Sequence, residues 1–199
     1  MISVIFAFAI AIGLFIVLPA FLVKGSNEDA TMFSSLKEGL IKISFFVAYI
    51  YIISLMNDIK RVFQYHGAEH KSIFAYEKGL ELTVDNVKKM PRLHPRCGTN
   101  FIFVVLMVST FVFSFFTFEN VLTRSILKLI FFPVVAGIAY EIIKIVGKYQ
   151  NPFTRVLILP GLLMQKITTR EPDEKQIEVA IAALQATLDK TEVVSPSPT

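Results

Sequence analysis

The sequence predicts an all-α membrane protein with about four transmembrane helices, a cytoplasmic loop carrying a metal motif, and a C-terminal amphipathic helix. Three observations point there. Across its 199 residues the chain is 54% hydrophobic and only 18% charged, with a mean hydropathy of +0.59, too apolar for a soluble domain whose surface must be charged. Four apolar blocks, residues 2–23, 40–56, 101–118 and 125–145, approach the length of about 17–25 residues that a hydrocarbon layer requires. Between the second and third blocks lies "YHGAEHKSIFAYEKG", which holds two of the three histidines.

The first block has no basic residue before it and no small-x-small cleavage site after it, which predicts a retained anchor. "KGSNEDAT" then forms a polar exterior loop, and "SSLKEG" leads into the second helix. That helix runs on without proline through "NDIKRVFQYHGAEHKSIFAYEKG", so it extends past the membrane or restarts near Tyr65, and Gly79 supplies its stop. Residues 80–90 read as a short extended piece followed by a helical turn near Asp85. "PRLHPRCGTN" is a loop stiffened by Pro91 and Pro95. In the fourth block Pro133 predicts a kink, and Ala136, Gly137 and Ala139 would let a neighbour approach closely.

Residues 151–169 are apolar but broken by Pro160–Gly161, which fits an interfacial or re-entrant piece. Beyond them, Pro172 opens a helix whose Ile177, Ala180, Ile181, Leu184 and Leu188 make one stripe needing a partner surface. The organisation is therefore residues 1–56 as two membrane helices, 57–100 as the motif segment and 101–150 as two more spans. Residues 151–190 are the interfacial segment with its amphipathic helix, and 191–199 a disordered tail.

Orientation follows from the basic residues. Lys60, Arg61, Lys71, Lys78, Lys88, Lys89, Arg92 and Arg96 fall in the central loop, and Lys148, Arg155, Lys166, Arg170, Lys175 and Lys190 follow the last span. Only Lys24, Lys37 and Arg124 fall on the other side. Both termini and the central loop are expected in the cytoplasm. The net charge of +4 then reflects topology, with membrane lipid as the partner and no nucleic acid. The single cysteine, Cys97, excludes an internal disulfide.

His66 and His70, four apart on a helix, share a face and can grip one divalent ion, Zn²⁺ above all. Glu69, one residue before the second histidine, projects to the side of that ion as a general base. This is the inverted zinc-protease pattern H-x-x-E-H. The plainer alternative is two interfacial histidines near the headgroups. Glu77 sits about 10 Å along the axis from His70, too far for the same ion. A further ligand is expected from Glu141, His94 or Cys97, ranked in that order. Glu141 is a carboxylate inside the fourth span, unless Lys144 pairs with it, and "HPRC" places His94 and Cys97 close together. Arg92 or Arg96 would orient substrate.

"FQYHGAEHKSIFAYEKGLELTVDNVKKMPRLHPRCGTNF" and the closing "PGLLMQKITTREPDEKQIEVAIAAL" resemble the YqhQ-type family, bacterial multi-pass membrane proteins with a domain of unknown function, described as predicted metal-dependent enzymes. The resemblance covers about residues 1–190. It implies a bacterial inner-membrane protein with His66, Glu69 and His70 in its metal motif and His94–Thr99 as a second signature, and it brings no substrate. Members carry a glycine-rich segment before the first membrane helix, whereas this chain begins "MISVIF". That segment is expected to be encoded separately as a partner, or the chain to be truncated.

Two functions from different classes follow. One is a membrane-bound, peptidase-like metallohydrolase at the cytoplasmic face. The other is a non-enzymatic scaffold or assembly factor whose structural metal is closed by four ligands, His66, His70, His94 and Cys97. Ion transport is the weakest reading, because the spans hold few acidic groups.

Overall fold

The computed structural model describes residues 2–24, 31–116, 121–149 and 152–194. All regular structure among them is helical. An N-terminal apolar segment comprises α1 (Ile2–Ile12), a π-helical turn (Gly13–Val17) and α2 (Leu18–Lys24). It is followed by α3 (Met32–Ile53), α4 (Asn57–Glu77), α5 (Val84–Lys88), α6 (Gly98–Ser114), α7 (Val121–Lys148), α8 (Pro152–Thr168) and α9 (Glu174–Val194). The exterior loop predicted at 24–31, part of that at 119–124, and the end of the tail fall largely outside the described residues. Residues 191–194, expected to be disordered, extend α9.

Residues 126–148 of α7 are the one described helix long and apolar enough to cross a membrane, and only 17% of the apolar window is buried. A core helix of a soluble protein would be mostly buried. Met32–Ile53 and Asn57–Glu77 pass the same test only as a pair bent by 102°, so of the two expectations, extension past the membrane or a restart near Tyr65, the chain takes a restart, and it does so earlier, at Asn57. No proline causes the break. At the corner the Arg170 guanidinium donates to the Ser54 carbonyl (3.1 Å), capping an end left without its helical partner.

α6 packs against α3, α7 and α8. Where α3 meets α6, a Cβ on Gly39 would stand 2.1 Å from the Thr110 Cγ2, so only glycine permits that approach. Inside the bundle the carboxylate of Glu38, 2% exposed, lies 2.5 Å from Lys42 Nζ on its own helix and 2.9 Å from Lys128 Nζ on α7. The close approach expected at Gly137 is not used, since nothing would meet a Cβ there, whereas Ala139 is fully buried.

A second packing unit joins α4, α5 and α9. Gly79, at φ +66°, ends α4 with the Leu80 N–H on the Ala75 carbonyl (3.0 Å). The Thr83 hydroxyl caps α5 by accepting from the Asn86 N–H. α9 starts after Asp173, whose carboxylate accepts from the Gln176 N–H (2.8 Å), while the Gln176 side chain accepts from the Asp173 N–H (2.9 Å). This reciprocal cap is stronger than the Pro172 start signal. The predicted stripe then finds its partner: Ile177 and Ile181 are buried against Ala68, Ala75 and Val87. Each isoleucine contributes about 1.5–3 kcal/mol of apolar burial.

α8 is the clearest departure. Pro160–Gly161 was expected to break the segment, yet the helix runs through both. Packing against α6 overrides the local penalty, because Gly161 is buried at that contact.

Candidate metal centre

α4 presents His66 and His70 one turn apart, and Cys97 stands at the N-cap of α6, with the Thr99 N–H donating to its Sγ (3.3 Å). One ligand atom from each of the three residues lies within 4.8 Å of the others. His66 Nε2 is 3.2 Å from Cys97 Sγ. Tetrahedral zinc with ordinary Zn–N and Zn–S bonds separates such donors by about 3.5 Å, so the set fits the ion.

Backbone carbonyls fix both rings. His66 Nδ1 donates to the Thr168 carbonyl (2.8 Å), and His70 Nδ1 donates to the Arg92 carbonyl. A carbonyl only accepts, so each Nδ1 carries a hydrogen and Nε2 is the nitrogen left to face Cys97: it donates to the sulfur while the ring is protonated and offers a lone pair once a metal displaces that proton. Metal-bound histidines are held this way. The carbonyls come from the end of α8 and from the 89–97 loop, which the α4 face touches because residue 67 is glycine. A Cβ there would meet the Arg170 carbonyl oxygen at 2.1 Å.

Burial opposes ionisation of Cys97. Hydrogen bonds from His66 and His70, with the charge of His70, outweigh it and bring the thiol from its ordinary value near 9 down to about 5. Burial likewise disfavours the charged form of His66, but its bonds to Cys97 and Thr168, with the nearby charges of Cys97 and Glu69, raise its pKa. A thiolate is therefore ready at neutral pH, so a metal meets no proton to displace from sulfur.

The three donors line a cavity of about 310 Å³ together with Glu69, Ile73, Glu77, His94, Arg96 and Gly98. His94 does not join the ligands. Its Nδ1 accepts from the Arg96 N–H (3.2 Å) and its Nε2 donates to Glu77 Oε2 (3.3 Å), so both nitrogens are engaged. Burial lowers its pKa. Arg96 Nη2 reaches the other oxygen of Glu77 at 2.6 Å. Glu77, set aside by its axial distance, thus joins the cavity wall through the loop. Arg92 is elsewhere, with Nη1 on the Thr169 carbonyl (2.8 Å).

Glu141, ranked first as third ligand, stands apart from the His66, His70 and Cys97 cluster. It is exposed on α7 and pairs with Lys144 at 3.3 Å. Two residues on from buried Ala139 is about 200° around the helix, which turns it outward. Cys97, ranked last, is the one of the three candidates that the structure brings to the two histidines. Two contributors carried no sequence signal. Fully buried Gln165 bonds the His94 backbone, accepting from its N–H (2.8 Å) and donating to its carbonyl (2.7 Å). The Thr168 carbonyl is main chain, which no residue type reveals.

Over residues 1–190 the chain matches, and belongs to, the family described as "Protein of unknown function (DUF1385)". It is 42% identical over 152 residues to the "Uncharacterized protein YqhQ" of Bacillus subtilis (strain 168), covering 76% of this chain and 48% of that protein. The chain thus spans about half the length of that relative. No solved structure matches it.

Proposed function

We propose that this chain is a multi-pass protein of the bacterial inner membrane with a metal-dependent, peptidase-like hydrolase site at the cytoplasmic face. Segments 2–23, 40–56, 101–118 and 125–145 would be its spans, both termini cytoplasmic and lipid its surroundings. The low burial of the α7 window and the exposed Ile5, Phe6, Phe8, Leu129, Ile130 and Phe132 support a lipid-facing surface. α6 reaches about 25 Å, short of the roughly 30 Å hydrocarbon layer. Bilayers accommodate such a deficit by thinning.

The observation that carries the chemistry is the pair of Nδ1–carbonyl bonds, which aim both histidine Nε2 atoms at one thiolate while His94 is occupied elsewhere. Three protein donors beside a cavity favour a catalytic over a closed structural site. Zn²⁺ suits two imidazoles and a thiolate, and when bound it supplies Lewis-acid polarisation of a carbonyl. Glu69, in the cavity wall one residue before His70, takes the proton of an attacking water and returns it to the leaving group. Arg96, steadied by Glu77, orients substrate.

Metal content of detergent-purified protein tests the reading. Near-stoichiometric metal is expected in wild type and Glu69→Gln but not in His70→Ala. Once a substrate is in hand, Glu69→Gln should lower turnover by roughly 10²–10⁴-fold. Metal absent from all three overturns the proposal.

A further inference from the structure

We propose that Gln165 is the positioning residue for the Cys97 limb of the metal centre, acting with Gly161 and Thr168 as one template face of α8. The inference rests on the metal-binding reading above. Gly161, Gln165 and Thr168 follow at i, i+4 and i+7, which puts them on a single stripe. Each touches a different part of the site.

Thr168 holds His66 through its carbonyl. Gly161 admits the first turn of α6: a Cβ there would stand 1.5 Å from Asn100 Oδ1 and 2.6 Å from its Cγ. Asn100 in turn donates through Nδ2 to the Pro95 carbonyl (2.6 Å), folding the loop back on α6. Gln165 takes the residue before Pro95, binding both backbone polar groups of His94.

The chemistry explains why glutamine stands there. Pro91 and Pro95 lack N–H groups, so this loop has few donors with which to pair itself. His94 is 5% exposed, and its buried N–H and carbonyl each need a partner. A planar primary amide offers an acceptor and a donor side by side. Cys97 lies three residues further on, between this clamp and the start of α6. With Gln165 lost, the peptide would seek other partners and carry the thiolate away from the two fixed imidazoles. Partners behind a ligand typically govern metal affinity by roughly 10–100-fold.

Cobalt(II) titration of the full-length, detergent-purified protein tests this. The near-ultraviolet sulfur-to-cobalt charge-transfer band reports Cys97, and the visible bands report the ion. Gln165→Met should weaken cobalt binding by roughly 10–100-fold and diminish the charge-transfer band relative to the visible ones. The control is Gln176→Met, which removes another buried amide, one that bonds Asp173 and Gln64 where α9 meets α4 and touches no part of the 89–97 loop. It should keep wild-type affinity and band. If Gln165→Met does not fold, Gln165→Asn carries the test, because it keeps an uncharged amide but withdraws it by one methylene from the His94 N–H and carbonyl. It should fall between wild type and full loss. Wild-type binding by the Gln165 variant tested, or equal losses in Gln165→Met and Gln176→Met, overturns the positioning role alone. No cobalt bound by wild type overturns both it and the metal reading.

Discussion

His66 Nε2 lies 3.2 Å from Cys97 Sγ while its Nδ1 hydrogen is committed to the Thr168 carbonyl. The ring can therefore bring only Nε2 to a metal, on the side where the Cys97 sulfur stands, and until a metal binds that nitrogen donates to the thiolate. Cys97→Ser keeps a polar atom at the N-cap but replaces a soft donor with a hydroxyl whose proton is not lost near neutrality. Zinc affinity should fall by more than the roughly 10–100-fold typical of losing a partner behind a ligand. Chelator competition measures it, and unchanged affinity would remove Cys97 from the ligand set.

The same pair gives the metal-free protein a pH signature. Cys97 titrates at about 5 when folded against an ordinary value near 9, so its contribution to stability is complete above 9 and is lost as pH falls through 5. His66 is shifted upward, so its contribution is complete below its ordinary value of 6.5 and is lost as pH rises through its folded pKa. Between about 5 and 6.5 only the thiol slope acts and stability rises with pH. Above 6.5 the two slopes oppose, and the curve levels while His66 stays protonated. Thermal melts of chelator-treated protein across this range should show the rise, and Cys97→Ser should flatten it.

What the sequence revealed was mostly what is local. The i, i+4 histidines with Glu69, the Gly79 stop and the stripe on α9 are each written within a few residues, and each stands in the structure as helical geometry requires. Relations across the chain were not legible in that way. Glu141 was ranked above Cys97 because a carboxylate in an apolar helix is unusual, but burial depends on rotation about α7, which packing decides. Cys97 comes to His66 only because α8 holds the intervening loop, and Gln165 looks like any amide until its two partners are seen. The α3–α4 corner comes without a local breaking signal and the unbroken α8 against one, since tertiary hydrogen bonds and close packing decide both. The apolar sequence of α8 suggested an interfacial segment and said nothing of the bonds that its inner stripe makes to His66 and His94.

In the bundle, Glu38 stands between Lys42 and Lys128. Glu38→Ala removes the carboxylate that both ammonium groups share, in a part of the bundle also lined by Ser35, Ser109 and Thr110. Breaking a buried pair costs about 3–5 kcal/mol, and since both lysines are about one-fifth exposed the loss should lie near about 3 kcal/mol. Lys42→Met should cost far less, because Lys128 still neutralises the carboxylate. Thermal unfolding in detergent compares the two, and equal losses would contradict a shared counter-ion.

Gly67 sits beside His66 where α4 meets the chain after α8. The Cβ of Gly67→Ala would press on the Arg170 carbonyl oxygen at 2.1 Å, a backbone atom with no rotamer to yield. The Arg170 N–H also donates to the Phe63 carbonyl (2.8 Å) one turn earlier on α4, so the two segments cannot part without losing that bond as well. Overpacking of this kind costs about 1–3 kcal/mol. It should also move the Thr168 carbonyl from the His66 ring, so Gly67→Ala is expected to lose metal affinity along with stability. Gly98→Ala serves as the comparison, because nothing lies within 4 Å of a Cβ there, and it should leave stability near wild type. Melting temperature and chelator competition on both proteins check the pair. A Gly67→Ala protein that melts and binds metal like wild type would mean that α4 and α8 are not in the contact on which the His66 geometry depends.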